Sequence, residues 1–125
     1  MQSPQQLSEP LDADALARLR ELDPSGANRL IERVVQAYFG SLERMLPELA
    51  AARAPLDFGQ LRQITHTLKS SSASLGALTL SAHCARLETM ARDQIAEGVE
   101  AELDAMLAEL ERVRVALTML HSSPA

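Results

Sequence analysis

The sequence is poor in cysteine and aromatic residues: among 125 residues it has one cysteine, no tryptophan, one tyrosine and two phenylalanines. Because Cys84 stands alone, it can form neither an intramolecular disulfide nor a thiolate metal cage, which fits a reducing compartment. The sequence also lacks an apolar run of the eighteen or so residues that a membrane span needs, and its first ten residues do not resemble a signal peptide. We therefore expect a cytoplasmic protein that does not cross a membrane.

Positive charge is scarce as well. Twelve lysines and arginines are dispersed among 17 acidic residues, which gives a net charge of -5. The absence of a basic patch argues against nucleic acid as a partner. A chain of this length with 46% apolar residues fits one globular domain whose core is too small to enclose a roomy catalytic cavity.

Leucine, alanine and arginine dominate the remaining composition, and this favours helices over strands. Apolar residues recur at alternating three- and four-residue spacings, the spacing of a buried helix face, and predict helices over about 12–22, 27–53, 58–74, 79–95 and 99–120. Residues 1–10 are predicted to be a flexible lead, 11–120 the folded domain and 121–125 a flexible tail.

The predicted fold is all-α: an antiparallel four-helix bundle with a short additional N-terminal helix. In the short helix Leu16, Leu19 and Leu22 are predicted to face the bundle. A single long coiled coil is the structural alternative, but breaks at Pro55, Gly76 and Gly98 suit a chain that folds back on itself.

The third predicted helix, within FGQLRQITHTLKSSSASLGA, contains the histidine of greatest interest. Its predicted buried stripe is Leu61, Ile64, Leu68, Ser71 and Leu75. At about 100° per residue, His66 falls roughly 180° from the centre of this stripe. We therefore expect His66 to face solvent.

The surroundings of His66 suit a phosphoryl group. Arg62 and Lys69 lie about one turn on either side, while Ser70, Ala73 and Gly76 continue the same face with small side chains. A free imidazole has a pKa of about 6.5, so at neutral pH one ring nitrogen is available as a nucleophile. Geometry alone does not separate this reading from an incidental surface histidine.

A resemblance adds to the geometry. The segment HTLKSSSASLGA resembles the signature of histidine-containing phosphotransfer domains, in which H-x-L-K precedes small residues and a glycine ten places after the histidine. The matching residues are His66, Leu68, Lys69 and Gly76, while Ser70 stands where a glycine is often found. The helix start from Asp57 to Gln60 and the segment LSAHCARLE, with Cys84, Leu87 and Glu88, are also similar to the family, over roughly 11–120.

The resemblance implies a phosphocarrier without kinase activity of its own. His66 would be the phosphoacceptor and Lys69 would stabilise the charge of the phosphoryl group. The partner would be the receiver domain of a hybrid sensor kinase or of a response regulator, which supplies the acceptor aspartate and Mg²⁺, while this chain needs no cofactor and acts as a monomer. The residues expected to dock the receiver are Arg62, Gln63, Ser70, Ala73 and Gly76.

Three alternatives to a phosphocarrier fit parts of the sequence. A dimerising histidine-kinase hairpin is similar in chemistry, but it has an acidic residue and a proline where this sequence has Thr67 and Ser71. A metal site at His83 and Cys84 is disfavoured, because adjacent helical residues point about 100° apart. A non-catalytic helical adaptor, with His66 incidental, remains the alternative function.

Overall fold

A computed structural model describes residues 10–122, which form five helices joined by turns. The helices are α1 (Ala13–Glu21), α2 (Leu30–Arg53), α3 (Phe58–Ser74), α4 (Leu78–Arg92) and α5 (Val99–Ser122). Within the described range the only β-type pairing is an isolated bridge between Arg53 and Leu56. The all-α prediction is confirmed.

Helices α2 to α5 form a closed four-helix bundle. Each packs against the next, and α5 returns to α2, while α1 packs on α2 at the end of the bundle where α3 meets α4. Neighbouring helices run antiparallel: the Ser81 hydroxyl of α4 reaches the Lys69 carbonyl of α3, whereas Glu88, further along α4, reaches back to His66. Arg53, at the end of α2, pairs with Glu100 at the start of α5.

On α4 and α5 the core consists of apolar residues that recur at three- and four-residue spacings. Burying these side chains removes apolar surface from water, which is the main driving force for the bundle. The buried core residues of these two helices are Leu80, Cys84, Leu87, Ala91, Val99, Leu103, Met106, Leu110, Val113 and Leu117. Leu120 is only partly buried at the far end of α5.

The bundle-facing side of α1 differs from the prediction. Leu22 is 73% exposed, whereas Ala15 is buried and Leu11 and Leu19 pack against the core. The Asp12 carboxylate caps α1 by accepting from the Ala15 amide, and the Asp12 amide donates to the Gly76 carbonyl at 2.7 Å. These two bonds hold the start of α1 against the bundle, whereas Leu22 follows the last residue of α1. The expectation for Leu22 is wrong.

Two helix boundaries differ from the predicted ones. Helix α2 starts at Leu30 rather than near residue 27, because the Asp23 carboxylate accepts from the amides of Asn28 and Leu30 and holds the intervening residues in a turn. Helix α4 ends at Arg92 rather than near residue 95. There Gln94 takes a left-handed conformation and the Ile95 amide closes onto the Met90 carbonyl.

Helix α3 matches its predicted bounds but not its whole predicted stripe. The Asp57 carboxylate accepts from the Gln60 amide and caps the helix. Ser72 is buried where Ser71 was expected, and its hydroxyl lies 2.8 Å from the Tyr38 hydroxyl of α2. Ser71 instead turns its hydroxyl to the carbonyls of its own helix.

The ends of the chain are described only in part. Residues 1–9 and 123–125 lie outside the described range, and with them most of the predicted lead and tail. Residues 121 and 122 belong to α5, so the helix is longer than predicted. Within residues 10–122, no helix is both long and apolar enough to cross a membrane.

Candidate functional site

His66 lies in the middle of α3 on the face that points away from the core. Its side chain is 67% exposed, while the neighbouring core positions Thr65 and Leu68 are buried. The placement predicted from periodicity is therefore the one that the fold adopts. An exposed imidazole on a packed helix combines access for a large partner with a fixed backbone.

Glu88 of α4 connects His66 to Lys69. Its Oε2 lies 2.7 Å from Nδ1 of His66, and its Oε1 accepts a hydrogen bond from Nζ of Lys69 at 2.6 Å. A carboxylate can only accept, so the proton of this contact resides on Nδ1 of His66. In the neutral ring Nε2 then keeps its lone pair, on a side chain that is largely exposed.

The charge of Glu88 is stabilised in this position. The hydrogen bond from Lys69 lowers the pKa of Glu88 most, partial burial opposes this effect, and the hydrogen bond with His66 adds to it. The net result is a pKa below the usual range, so the carboxylate is ionised at neutral pH. Together Glu88 and Lys69 form a neutral pair beside the imidazole.

Contacts between helices hold α3 in place around His66. The Ser81 hydroxyl of α4 donates to the Lys69 carbonyl at 2.9 Å, one turn beyond the histidine. On the opposite side, Tyr38 and Ser72 share their buried hydrogen bond, and burial raises the pKa of Tyr38 to about 12. Tyr38 is therefore a neutral structural group that fixes α3 against α2.

The residues expected to dock a partner do not all share the exposed face. Arg62, Gln63, Ser70 and Ala73 are exposed on α3. Gly76 is buried beneath α1: a Cβ atom there would lie 3.0 Å from Cβ of Ala15. The placement of Gly76 on the docking face is therefore wrong, and its φ of +81° explains the glycine by backbone conformation instead.

A groove runs beside His66 between α2 and α3. It encloses about 460 Å³, and its walls carry mixed charge from Arg44 and Glu48 of α2. From α3 it is lined by Gln63 and Thr67, the residues three before and one after the histidine. The exposed face around His66 thus continues into a polar depression on the side away from Glu88.

The other residues considered in the sequence take structural positions. Cys84 is fully buried, and this burial raises the pKa of its thiol to about 12, so it is not a nucleophile. His83 points away from Cys84 and bonds to Glu102 of α5. In residues 10–122 no three His, Cys, Asp or Glu side chains converge as metal ligands would.

Glu88 belongs to the segment LSAHCARLE that resembles the family, but the sequence alone predicts no role for it. Its contact with His66 joins residues 22 positions apart and depends on how α4 packs on α3. The sequence feature that could have indicated this contact is the position of Glu88 on α4. Glu88 follows the core residues Cys84 and Leu87 and so lies at the edge of the buried face of α4. An acidic residue there faces the neighbouring helix.

Fold and site together define a class of protein: a helical bundle that displays an exposed histidine flanked by a lysine and a glutamate. The family model described as "Hpt domain" matches residues 33–116. The chain therefore belongs to the Hpt domain family, the histidine phosphotransfer domains of phosphorelays.

Individual relatives agree with this assignment. Histidine-containing phosphotransfer protein 4 of Arabidopsis thaliana is 32% identical over 82 residues, which cover 64% of this chain and 65% of the relative. The match thus spans less than two-thirds of the length of that curated relative. The crystal structure of histidine-containing phosphotransfer protein B of Pseudomonas aeruginosa superposes with a TM-score of 0.82 at 26% identity, covering 94% of this chain and 98% of the other.

Proposed function

We propose that the chain carries a phosphoryl group on Nε2 of His66 and exchanges it with aspartates of receiver domains. The observation that carries the proposal is the contact of Nδ1 of His66 with Glu88 on an exposed helix face, which leaves Nε2 free. The receivers belong to a hybrid sensor kinase, a response regulator or both.

The transfer is a displacement at phosphorus. The Nε2 lone pair attacks the phosphorus of an aspartyl phosphate, the N–P bond forms, and the P–O bond to the aspartate breaks to regenerate its carboxylate. Because Glu88 accepts from Nδ1–H, it stabilises the positive charge that develops on the imidazole during attack. The reverse displacement passes the group to the next aspartate.

Lys69 and Glu88 have complementary roles in this proposal. A carboxylate next to a phosphoryl dianion would repel it, but the Lys69 ammonium neutralises Glu88 at 2.6 Å. Glu88 can therefore orient the ring with little electrostatic cost. The Lys69 ammonium carries three N–H donors, so it can also bond to a phosphoryl oxygen.

The acceptor aspartate and Mg²⁺ belong to the receiver in this proposal, and the chain itself is a phosphocarrier without kinase activity. The receiver contacts the exposed face of α3 around Arg62, Gln63, Ser70 and Ala73. Small side chains at the last two positions let its surface come close enough for in-line transfer, which is sensitive to displacements of about 1 Å.

The test uses a phosphorylated receiver from the source organism. The protein and its His66→Gln variant are incubated with the receiver, and phosphohistidine is measured by site-resolved mass spectrometry. Phosphate on His66, and none on the variant, supports the carrier. A folded protein that takes no phosphate from any receiver of the organism supports the alternative of a helical adaptor.

A further inference from the structure

The three-group arrangement at His66 occurs a second time in the bundle. His83 of α4 is followed three residues later by a cation, Arg86, just as His66 is followed by Lys69. Both groups meet a glutamate of the next helix, Glu102 of α5. The second arrangement is therefore displaced by one helix around the bundle and uses entirely different residues.

The second site shares the two carboxylate contacts of the first. Nδ1 of His83 lies 2.5 Å from Oε2 of Glu102, and Nε of Arg86 donates to Oε1 of the same carboxylate at 3.3 Å. Nη2 of Arg86 also lies 2.8 Å from Nδ1 of His83. The contact with the carboxylate is the shorter one and a carboxylate can only accept, so the proton again resides on Nδ1 and Arg86 does not donate to that atom. In the neutral ring Nε2 of His83 is consequently the atom with the free lone pair.

Charge at the second site is balanced in the same way. Burial raises the pKa of Glu102, but the hydrogen bonds from His83 and Arg86 outweigh it, so the net pKa lies below the usual range. The polar contacts of the His83 ring are made by Nδ1. Nε2 lies on the other edge of the ring, and the side chain as a whole keeps 18% of its surface exposed.

The two sites differ in how far their histidine side chains are exposed. The His83 side chain is 18% exposed, against 67% for His66, although Glu102 and Glu88 are shielded to almost the same degree at 20% and 19%. A receiver surface cannot close on a ring that lies largely between two helices. A phosphodonor of a few atoms needs only the edge of the ring that carries Nε2.

We propose that His83 is a second phosphoacceptor, which takes a phosphoryl group from small phosphodonors such as phosphoramidates and acyl phosphates but not from receiver domains. With phosphoramidate, Nε2 supplies the electron pair of the new N–P bond while the P–N bond of the donor breaks. The donor nitrogen leaves as ammonia and is protonated to ammonium. The Nδ1 proton is held by Glu102 during attack and is then released to solvent.

The proposal does not depend on the role proposed for His66. The decisive sample is the His66→Gln variant treated with phosphoramidate, because it keeps the His83 arrangement intact. Intact mass and peptide mapping should show one phosphoryl group per chain on His83. It should form several-fold more slowly than the group on His66 in a His83→Gln variant, in line with the smaller exposed fraction. Circular dichroism checks that each variant folds.

Two further samples sharpen the test. In the His66→Gln background, Glu102→Gln should slow labelling of His83 and lower the fraction of its ring protonated on Nδ1, as read from ¹⁵N chemical shifts. A phosphorylated receiver should leave the His66→Gln variant unlabelled. The sequence contains one further histidine, His121. The proposal is overturned if phosphoramidate leaves the His66→Gln variant unlabelled, if the label lies on His121 in place of His83, or if a receiver labels His83.

Discussion

Glu88 and His66 lie on neighbouring antiparallel helices, with Oε2 of the carboxylate 2.7 Å from Nδ1 of the imidazole. The same carboxylate holds Lys69 through its other oxygen. This single side chain therefore sets both the tautomer of the histidine and the position of the nearest cation. It links the packing of α4 on α3 to the chemistry at Nε2.

Replacing Glu88 by glutamine should slow phosphotransfer. The amide keeps the size of the side chain but loses the charge that favours a proton on Nδ1, so a smaller fraction of the rings presents a free Nε2. We expect transfer from a phosphorylated receiver to fall about tenfold, since the loss of a carboxylate that orients a histidine lowers rates markedly. Rapid-quench measurements give the rate, and ¹⁵N shifts of His66 give the tautomer.

A matched control is Glu111→Gln, because Glu111 is an exposed glutamate of α5 that lies 4.0 Å from Arg114 and far from α3 in the bundle. Its transfer rate should equal that of the unmodified protein. If Glu88→Gln transfers as fast as this control with an unchanged tautomer, Glu88 has no positioning role.

Lys69→Ala should weaken the stabilisation of the phosphoryl group. It removes a cation from the site and also leaves the charge of Glu88 uncompensated, so a phosphoryl dianion on His66 meets more repulsion. Because Lys69 is about one-third exposed, we expect a change of roughly two- to fivefold in transfer rate or phosphohistidine lifetime. Lys69→Arg keeps the charge and should restore most of the loss. Equal values for all three proteins would remove Lys69 from the mechanism.

Ala73→Arg should obstruct the receiver. Ala73 is exposed on α3, two turns beyond His66, and a long side chain there keeps another protein surface at a distance. Transfer from the receiver should fall by at least about tenfold, given that a misplacement of about 1 Å can cost roughly 10²-fold. Phosphoramidate should still label His66 at nearly the normal rate, because it needs no docking surface.

The control for this variant is Ala105→Arg, which places the same side chain on the exposed face of α5. Arginine is a good helix former at both positions, and circular dichroism should show equal helicity. Undiminished receiver transfer by Ala73→Arg would show that docking uses another face. Loss of phosphoramidate labelling on His66 as well would indicate damage at the histidine itself.

Gly76→Ala tests the structural role assigned to this glycine. The residue has a φ of +81°, and a Cβ atom would lie 3.0 Å from Cβ of Ala15 and 3.1 Å from the Asp12 carbonyl oxygen. An L-residue in the left-handed region costs about 1–2 kcal/mol, so urea unfolding should show a loss of at least about that size. The receiver should still label the folded fraction normally.

Gly40→Ala should have the opposite effect on stability. Gly40 lies within α2, and a Cβ atom added there would have no atom within 4 Å beyond its chain neighbours and the adjoining helix backbone. The substitution should stabilise the protein by up to about 1 kcal/mol through helix propensity. If Gly76→Ala is as stable as the unmodified protein but no longer accepts phosphate from the receiver, Gly76 contacts the receiver. That result would contradict the burial of Gly76 under α1.

Much of the fold could be predicted because local periodicity determines which helix face is buried. The stripe that places Leu61 and Leu68 inward also places His66 outward, and an N-cap at Asp57 marks where α3 begins. These features depend on residues within one or two turns of each other. Sequence spacing contains that information directly.

The remaining features depend on contacts between segments. The burial of Gly76 follows from a hydrogen bond between its carbonyl and Asp12, and the choice of Ser72 over Ser71 follows from Tyr38 on α2. The role of Glu88 needs the register of α4 against α3. No spacing within a single helix specifies such a register, so these features could not be predicted from periodicity.

The central claim, that His66 receives the phosphoryl group from a receiver, is tested most directly with His66→Gln. The side chain is 67% exposed, so the substitution should leave helicity unchanged. The free energy of unfolding should stay within about 0.5 kcal/mol of the original value. Incubation with the phosphorylated cognate receiver should label the unmodified protein at Nε2 of His66 and leave the folded variant without phosphohistidine. Phosphohistidine on the folded variant after the same incubation would contradict the account.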